Sequence, residues 1–360
     1  MDRDAKHMLF VPGRLCLFGE HSDWAAEYGT HRGFCLVIGT DQGLSAEATA
    51  CEDFVVKSLV ADKLGRPTGR TRQMSCTFKA QRLAEAAKDK DEFFRYCAGV
   101  AHEMVARPGV VGGLHLEIAA MDLPLKKGVS SSAAVCILVA KAFDAVYRLN
   151  LFPHELMELA YVGEKLTGSQ CGRMDQACIY GKTPVLLTFE REAQCRVEPI
   201  FPARPIYMFF VDLAGKKDTI KILGDLQKAH PDSPALQKAL GQENERIVRQ
   251  AYRALTEGDA ETLGALMTEA QANFDQLVAP HSAEQLASPL LHQALALDTL
   301  APHIYGGKGV GSQGDGTAQF VARSEDDRQA AMDAITQMFP EMQCLPLTIN
   351  CVTVRQAVRQ

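Results

Sequence analysis

The sequence has no excess of positive charge: 38 Lys and Arg stand against 44 Asp and Glu, a formal net charge of −6. A general nucleic-acid or membrane-surface binder needs a basic face, so the charge argues against both classes. No apolar run approaches the roughly 18–20 residues of a membrane span. No Cys-x-x-Cys occurs among the 11 cysteines, whose odd number argues against a disulfide framework. Several (Cys16, Cys35, Cys136) sit inside apolar runs, where a free thiol behaves as a small hydrophobe. Met1-Asp2-Arg3-Asp4 leads into a strand-like Met8–Val11 with no signal-peptide core. A reduced, cytoplasmic protein is expected. Internal repeats and low-complexity linkers are also lacking, as are the P-loop pattern and a Rossmann Gly-x-Gly-x-x-Gly followed by an acid on a second strand.

What is present is a composition that is 47% apolar and 23% charged over 360 residues, enough for one large or two ordinary domains with real cores. Patterning predicts strands at Leu9–Val11 and Leu15–Phe18 around a Pro12-Gly13 turn, then at Gly33–Gly39 and Leu44–Ala50. Residues 61–75 read as an exposed hairpin or loop. Helical periods cover Ala80–Lys88, Asp91–Ala106, Val135–Leu149 and Pro153–Leu166, with strands at Gly113–Ile118, Val185–Phe189 and Ile206–Asp212. Ser233–Thr299 is largely helical, broken at Pro280 and Pro289. Ile304–Arg323 is a glycine-rich strand-and-loop unit, followed by a helix over Asp326–Met338 and a strand over Leu345–Val354. The shift from strand-rich to helix-rich composition near residue 200 predicts domains over 1–198 and 199–360.

Three motifs carry chemistry. In Pro12-Gly13-Arg14 through Phe18-Gly19-Glu20-His21-Ser22-Asp23-Trp24 a strand runs into a turn dense in ionisable groups. Glu20, His21 and Asp23 together suit the hydroxyls of a polyol. They are equally competent metal ligands, or a solvated turn. The only Trp could stack on a sugar face or belong to the core. In the second motif Pro124–Ala134 carries Lys126, Gly128, Ser130, Ser131, Ser132 and Ala133 into an apolar helix. Small residues before unpaired first-turn N–H groups make an anion site, or an ordinary Ser N-cap. Behind it lies Glu164 through Cys171-Gly172-Arg173-Met174-Asp175-Gln176, an acidic loop whose Glu164 and Asp175 could face a phosphate–metal complex. In the third motif, Gly306–Thr317, six glycines fall in eleven residues. That density cannot be a packed core element and points to phosphate or substrate lining over the alternative, a plain hairpin.

In combination these motifs resemble the GHMP small-molecule kinase superfamily, with its galactokinase-like branch the better match. Pro12–Trp24 is similar to Pro-Gly-Arg-x-x-Leu-x-Gly-Glu-His-Thr-Asp-Tyr, Pro124–Ala134 to Pro-x-x-x-Gly-Leu-Ser-Ser-Ser-Ala, and Cys171–Gln176 to Cys-Gly-Ile-Met-Asp-Gln. The resemblance implies a two-domain α/β (α+β) fold, with an N-terminal domain like the second domain of ribosomal protein S5 and a ferredoxin-like C-terminal domain. It implies MgATP-dependent phosphorylation of a sugar hydroxyl, the anomeric one of galactose or a related aldose or uronic acid. Asp175 would be the catalytic carboxylate and Arg14 its cationic neighbour. Glu20, His21 and Asp23 would grip the sugar, Lys126, Gly128 and Ser130–Ala133 the ATP phosphates, and Ser132 and Glu164 the Mg²⁺. The implied partners are the small molecules themselves, in a monomer or homodimer without nucleic acid or membrane. A kinase of another polyol, such as an inositol, and a catalytically silent sugar/ATP sensor are the competing readings. The third motif departs from the family pattern through Lys308, Gln313 and Asp315, the last expected to face substrate or solvent. Asp212–Thr219 is a polar strand-end loop without a counterpart in the pattern.

Overall fold

The computed structural model describes residues 5–29, 31–61, 67–121, 131–190 and 195–351. Its strands are β1 (His7–Phe18), β2 (Gly33–Cys51), β3 (Phe54–Ala61), β4 (Pro67–Cys76), β5 (Gly113–Met121), β6 (Val185–Phe189), β7 (Cys195–Pro199), β8 (Ile206–Asp212), β9 (Ile304–Gly309), β10 (Thr317–Ala322) and β11 (Gln343–Ile349). Its helices begin with α1 (Ser22–Ala25), α2 (Ala80–Lys88), α3 (Arg95–Met104), α4 (Ser131–Tyr147), α5 (Pro153–Leu166) and α6 (Thr219–Ala229). They continue with α7 (Pro234–Lys238), α8 (Asn244–Glu257), α9 (Ala260–Leu277), α10 (Ala283–Leu286), α11 (Pro289–Leu295) and α12 (Glu325–Met338). Two compact units divide the chain. Unit 1 takes the residues up to Arg14, 39–121 and 131–181, and unit 2 takes Leu15–Ile38 and the chain from Lys182.

In unit 1, β4 pairs antiparallel with β3, β3 runs parallel to β5, and β5 pairs antiparallel with Leu44–Cys51 of β2. Helix α4 is apolar around almost its whole circumference, as a helix enclosed on all sides must be. Phe143 on α4 stacks on Phe54 and Phe78, with ring centroids 6.1 and 5.6 Å away. Helix α5 starts where Pro153 is tolerated and Glu155 accepts the Phe152 N–H at 2.9 Å. Its Gly163 lies so near α3 that a Cβ there would come within 2.6 Å of Val100 Cα. The adjoining Glu164 is thereby held in a close-packed wall.

In unit 2, Gly33–Val37 of β2 pairs with β6, and β6 with β7. The other sheet is antiparallel in the order β11-β8-β10-β9, the ferredoxin-like βαββαβ arrangement. Phe209 and Phe320 stack at 4.9 Å in a core with Val211, Leu291 and Ile335. A second cluster joins Trp24 and Ala25 to Ile222, Leu226, Leu240 and Phe274. No helix among the described residues is long and apolar enough to cross a membrane, and no disulfide forms among them.

Several elements differ from expectation. Pro12-Gly13 is not a turn: Val11 to Phe18 are buried, and burial keeps β1 extended through the pair. Gly33–Gly39 and Leu44–Ala50 are one strand. Helix α6 starts before the predicted helical region, because Asp218 accepts the Lys221 N–H at 3.0 Å and caps it. Pro289 opens α11 instead of merely interrupting a helix. The glycine-rich segment does form packed structure: Gly306 and Gly307 lie in β9, with Gly264 of α9 against Gly306. A Cβ on Gly306 would lie 2.1 Å from Gly264 O, so one role of this glycine is helix-on-strand approach.

Candidate functional site

In unit 1 a polar cluster forms around Arg14, Glu164 and Asp175. Arg14, buried on β1, forms an ion pair and hydrogen bond with Asp175, which opens a 3-10 turn over Asp175–Tyr180. Glu164, near the end of α5, is only 1% exposed. It accepts from Gln176 Nε2 at 2.8 Å, from Ser169 Oγ at 3.3 Å and from the Ser132 hydroxyl. Burial, followed by the like charge of Asp175, raises its pKa to about 7. A buried carboxylate whose charge is disfavoured, bonded to a serine hydroxyl, has the oxygen donors a hard divalent cation takes. Among the described residues no group of three or more His, Cys, Asp or Glu side chains could hold a metal. Any such ion would therefore draw on hydroxyl, phosphate or water oxygens as well.

Ser131, Ser132 and Ala133 form the first turn of the 17-residue α4, where N–H groups lack an intrahelical acceptor and the helix dipole favours an anion. Lys126, Gly128 and Ser130 lie outside the described residues. Gln176 is the residue that sequence reasoning passed over: it ends the second motif, adjacent to Asp175, and its amide fastens Glu164.

Unit 2 holds a partly open cavity of about 460 Å³ including its open mouth. Phe18, Phe274 and Ile247 give it an apolar wall, and Glu20, Lys308 and Gln313 a polar one. Lys308, on β9, is buried in an ion pair with Glu20 and donates to Gly309 O at 2.7 Å. His21, with its backbone at φ 69°, stacks on Phe274 at 6.0 Å and accepts the Trp24 indole N–H at Nδ1, 3.1 Å away. Burial first, then Lys217 and Lys308, lower its pKa to about 3. The ring is neutral with its proton on Nε2, an N–H that has no partner among the described residues. Asp23 is buried on α1. Trp24 belongs to the core cluster. Asp315 does not face substrate or solvent as expected: its carboxylate accepts the Leu291 N–H at 3.0 Å in the first turn of α11.

A mixed α/β chain with an anion-receptive helix start, an Arg–Asp pair and a polar cavity has the parts of a small-molecule kinase. Residues 92–182 match the model of the GHMP kinases N terminal domain. A galactokinase of Roseiflexus sp. (strain RS-1) is 26% identical over 299 residues, 73% of this chain and 71% of that protein. The structure of L. major mevalonate kinase in complex with R-mevalonate superposes with a TM-score of 0.71 at 21% identity, covering 97% of both chains. That of Lactococcus lactis galactokinase complexed with galactose gives 0.71 at 19% identity, over 96% of this chain and 94% of that one. Through the matched domain and these relatives the chain is similar to the GHMP kinases, and it shares the two-domain α/β fold of the solved ones. The galactokinase homologues and the matched domain indicate a galactokinase-like phosphotransferase whose acceptor is a hydroxyl group.

Proposed function

We propose that the chain transfers the γ-phosphate of MgATP to a hydroxyl, the anomeric one, of galactose or a related aldose or uronic acid. The observation that carries this reading is the Arg14–Asp175 pair beside Glu164, itself bonded to Ser132 at the start of α4. Asp175 accepts a hydrogen bond from the acceptor hydroxyl and orients its oxygen, and Arg14 offsets charge on the transferring phosphoryl group. Lys126, Gly128 and Ser130–Ala133 hold the phosphates. Ser132 and Glu164 are the residues of this chain suited to Mg²⁺, which when bound neutralises phosphate charge. Glu20, His21 and Asp23 hold acceptor hydroxyls, His21 through its Nε2–H. The similarity to galactokinases supports a sugar as the acceptor.

The test is ADP release with MgATP over a panel of aldoses, uronic acids and inositols, for the parent protein and Asp175→Asn. We expect acceptor-dependent ADP from at least one sugar, and a loss of about 10²–10⁴-fold in turnover for the variant with ATP binding retained. No ADP above background from any acceptor would leave a silent binding protein as the better reading. Near-normal turnover in Asp175→Asn would remove that residue from the chemistry.

A further inference from the structure

We propose that Lys308 and Gln313 are acceptor-binding residues, which with Glu20 make the cavity of unit 2 select an uncharged polyhydroxyl compound over an acidic one. This rests on the kinase reading above and narrows its acceptor class.

Three observations converge on the cavity wall. Lys308 is 1% exposed, and two of its three N–H donors go to Glu20 and Gly309 O, which leaves one for a ligand. Glu20 meets Lys308 through Oε1, and Oε2 retains capacity to accept. Gln313 is likewise 1% exposed, and its Oε1 has no partner among the described residues. Leaving a buried amide oxygen unmet is costly, and Gln313 sits at φ 63°, a conformation that a non-glycine residue adopts at further cost. Both costs persist at one residue that lines the cavity. A ligand that supplies a hydroxyl donor to Gln313 Oε1 and to Glu20 Oε2, and an oxygen to Lys308, satisfies all three. Adjacent hydroxyls of a polyol do this, and the Phe274 wall suits the C–H face between them.

The charge balance sets the class. Glu20 already compensates Lys308, and the wall's other carboxylate, Glu243, is bonded to Arg246 at 3.1 Å. Lys217, the second cation acting on His21, lies along Gly314 and Gly316 and is not in the wall. An acceptor carboxylate in this cavity would enter as an added buried negative charge with no cation of the wall left to pair it. A neutral acceptor meets no such penalty.

The test uses the full chain with D-galactose, myo-inositol and D-galacturonate as acceptors. Two variants are compared with the parent: Gln313→Met, and the double variant Glu20→Gln/Lys308→Met, which removes both charges so that neither is left buried alone. We expect the parent to favour the better neutral acceptor over D-galacturonate by at least tenfold in kcat/KM. Each variant should raise the KM for that acceptor tenfold or more, with the KM for ATP unchanged. Preference for galacturonate in the parent, an unchanged acceptor KM in both variants, or a parallel rise in the KM for ATP would each overturn the proposal. If the parent releases no ADP, the kinase reading fails separately, and calorimetric binding of the two neutral compounds decides this one. Binding that Gln313→Met abolishes supports it, whereas no binding, or equal binding by the variant, overturns it.

Discussion

At His21 the ring is enclosed by Trp24, Phe274 and the fields of two lysines, so protonating it would bury a third positive charge. In the unfolded chain it would titrate near its ordinary value, 6.5, and in the fold only near 3. Between these values the unfolded chain binds a proton that the native state refuses, so stability falls as pH falls, by at most about 1.4 kcal/mol per pH unit. Stability from this source is complete above pH 6.5. His21→Asn, whose side chain tolerates positive φ, should remove the dependence. Urea midpoints at pH 7, 6 and 5 should show the parent losing about 1–2 kcal/mol more than the variant. Parallel curves would mean that His21 titrates alike in both states. The cluster of Glu20, His21 and Asp23 was legible from sequence because its members are neighbours in the chain. What sets their states was not: Lys308 reaches Glu20 across 288 positions, and no local pattern announces such a pairing.

Helix α9 approaches β9 where Gly264 meets Gly306, and the two backbones come closer than any Cβ allows. Gly306→Ala should force them apart at a cost of about 1–3 kcal/mol. A lowered urea midpoint with an unchanged slope would register it; an unchanged midpoint would mean that this approach contributes little. The same contact explains why the glycine-rich segment misled a reading from composition. Dense glycine signals close approach, but the sequence does not say whether the visitor is a ligand or a helix, and at Gly306 it is a helix. Strands β6 and β8 and helix α5 were legible to the residue, since apolar runs and a first-turn Pro mark them. Strand β7, Cys-Arg-Val-Glu-Pro, is only partly buried and shows too little contrast to stand out.

The composition shift near residue 200 records local content alone, whereas unit 2 draws on two distant stretches of chain. Leu15–Ile38 brings Trp24 into the core with Leu226 and Phe274, and lays Phe34–Val37 beside β6. It also supplies Cys16 O to the Gln319 amide at 2.7 Å, Phe34 O to Asn244 at 3.0 Å, and Glu20 to Lys308. Burial of Trp24, Phe34, Leu36 and Val37 is worth about 1.5–3 kcal/mol each, a sum comparable with the about 5–15 kcal/mol by which a whole domain is stable. Residues 182–360 expressed alone would lose that term, leave β6 without its β2 partner and strand the Lys308 ammonium. We therefore expect this fragment to show no cooperative urea transition by circular dichroism, in contrast to the full chain. A sharp, reversible transition in the fragment would show that the second unit owes little to the segment containing Glu20 and His21. The dense polar motif at the end of β1 would then serve ligands alone; its absence would mean that the same 24 residues, Leu15–Ile38, build the core and the cavity together.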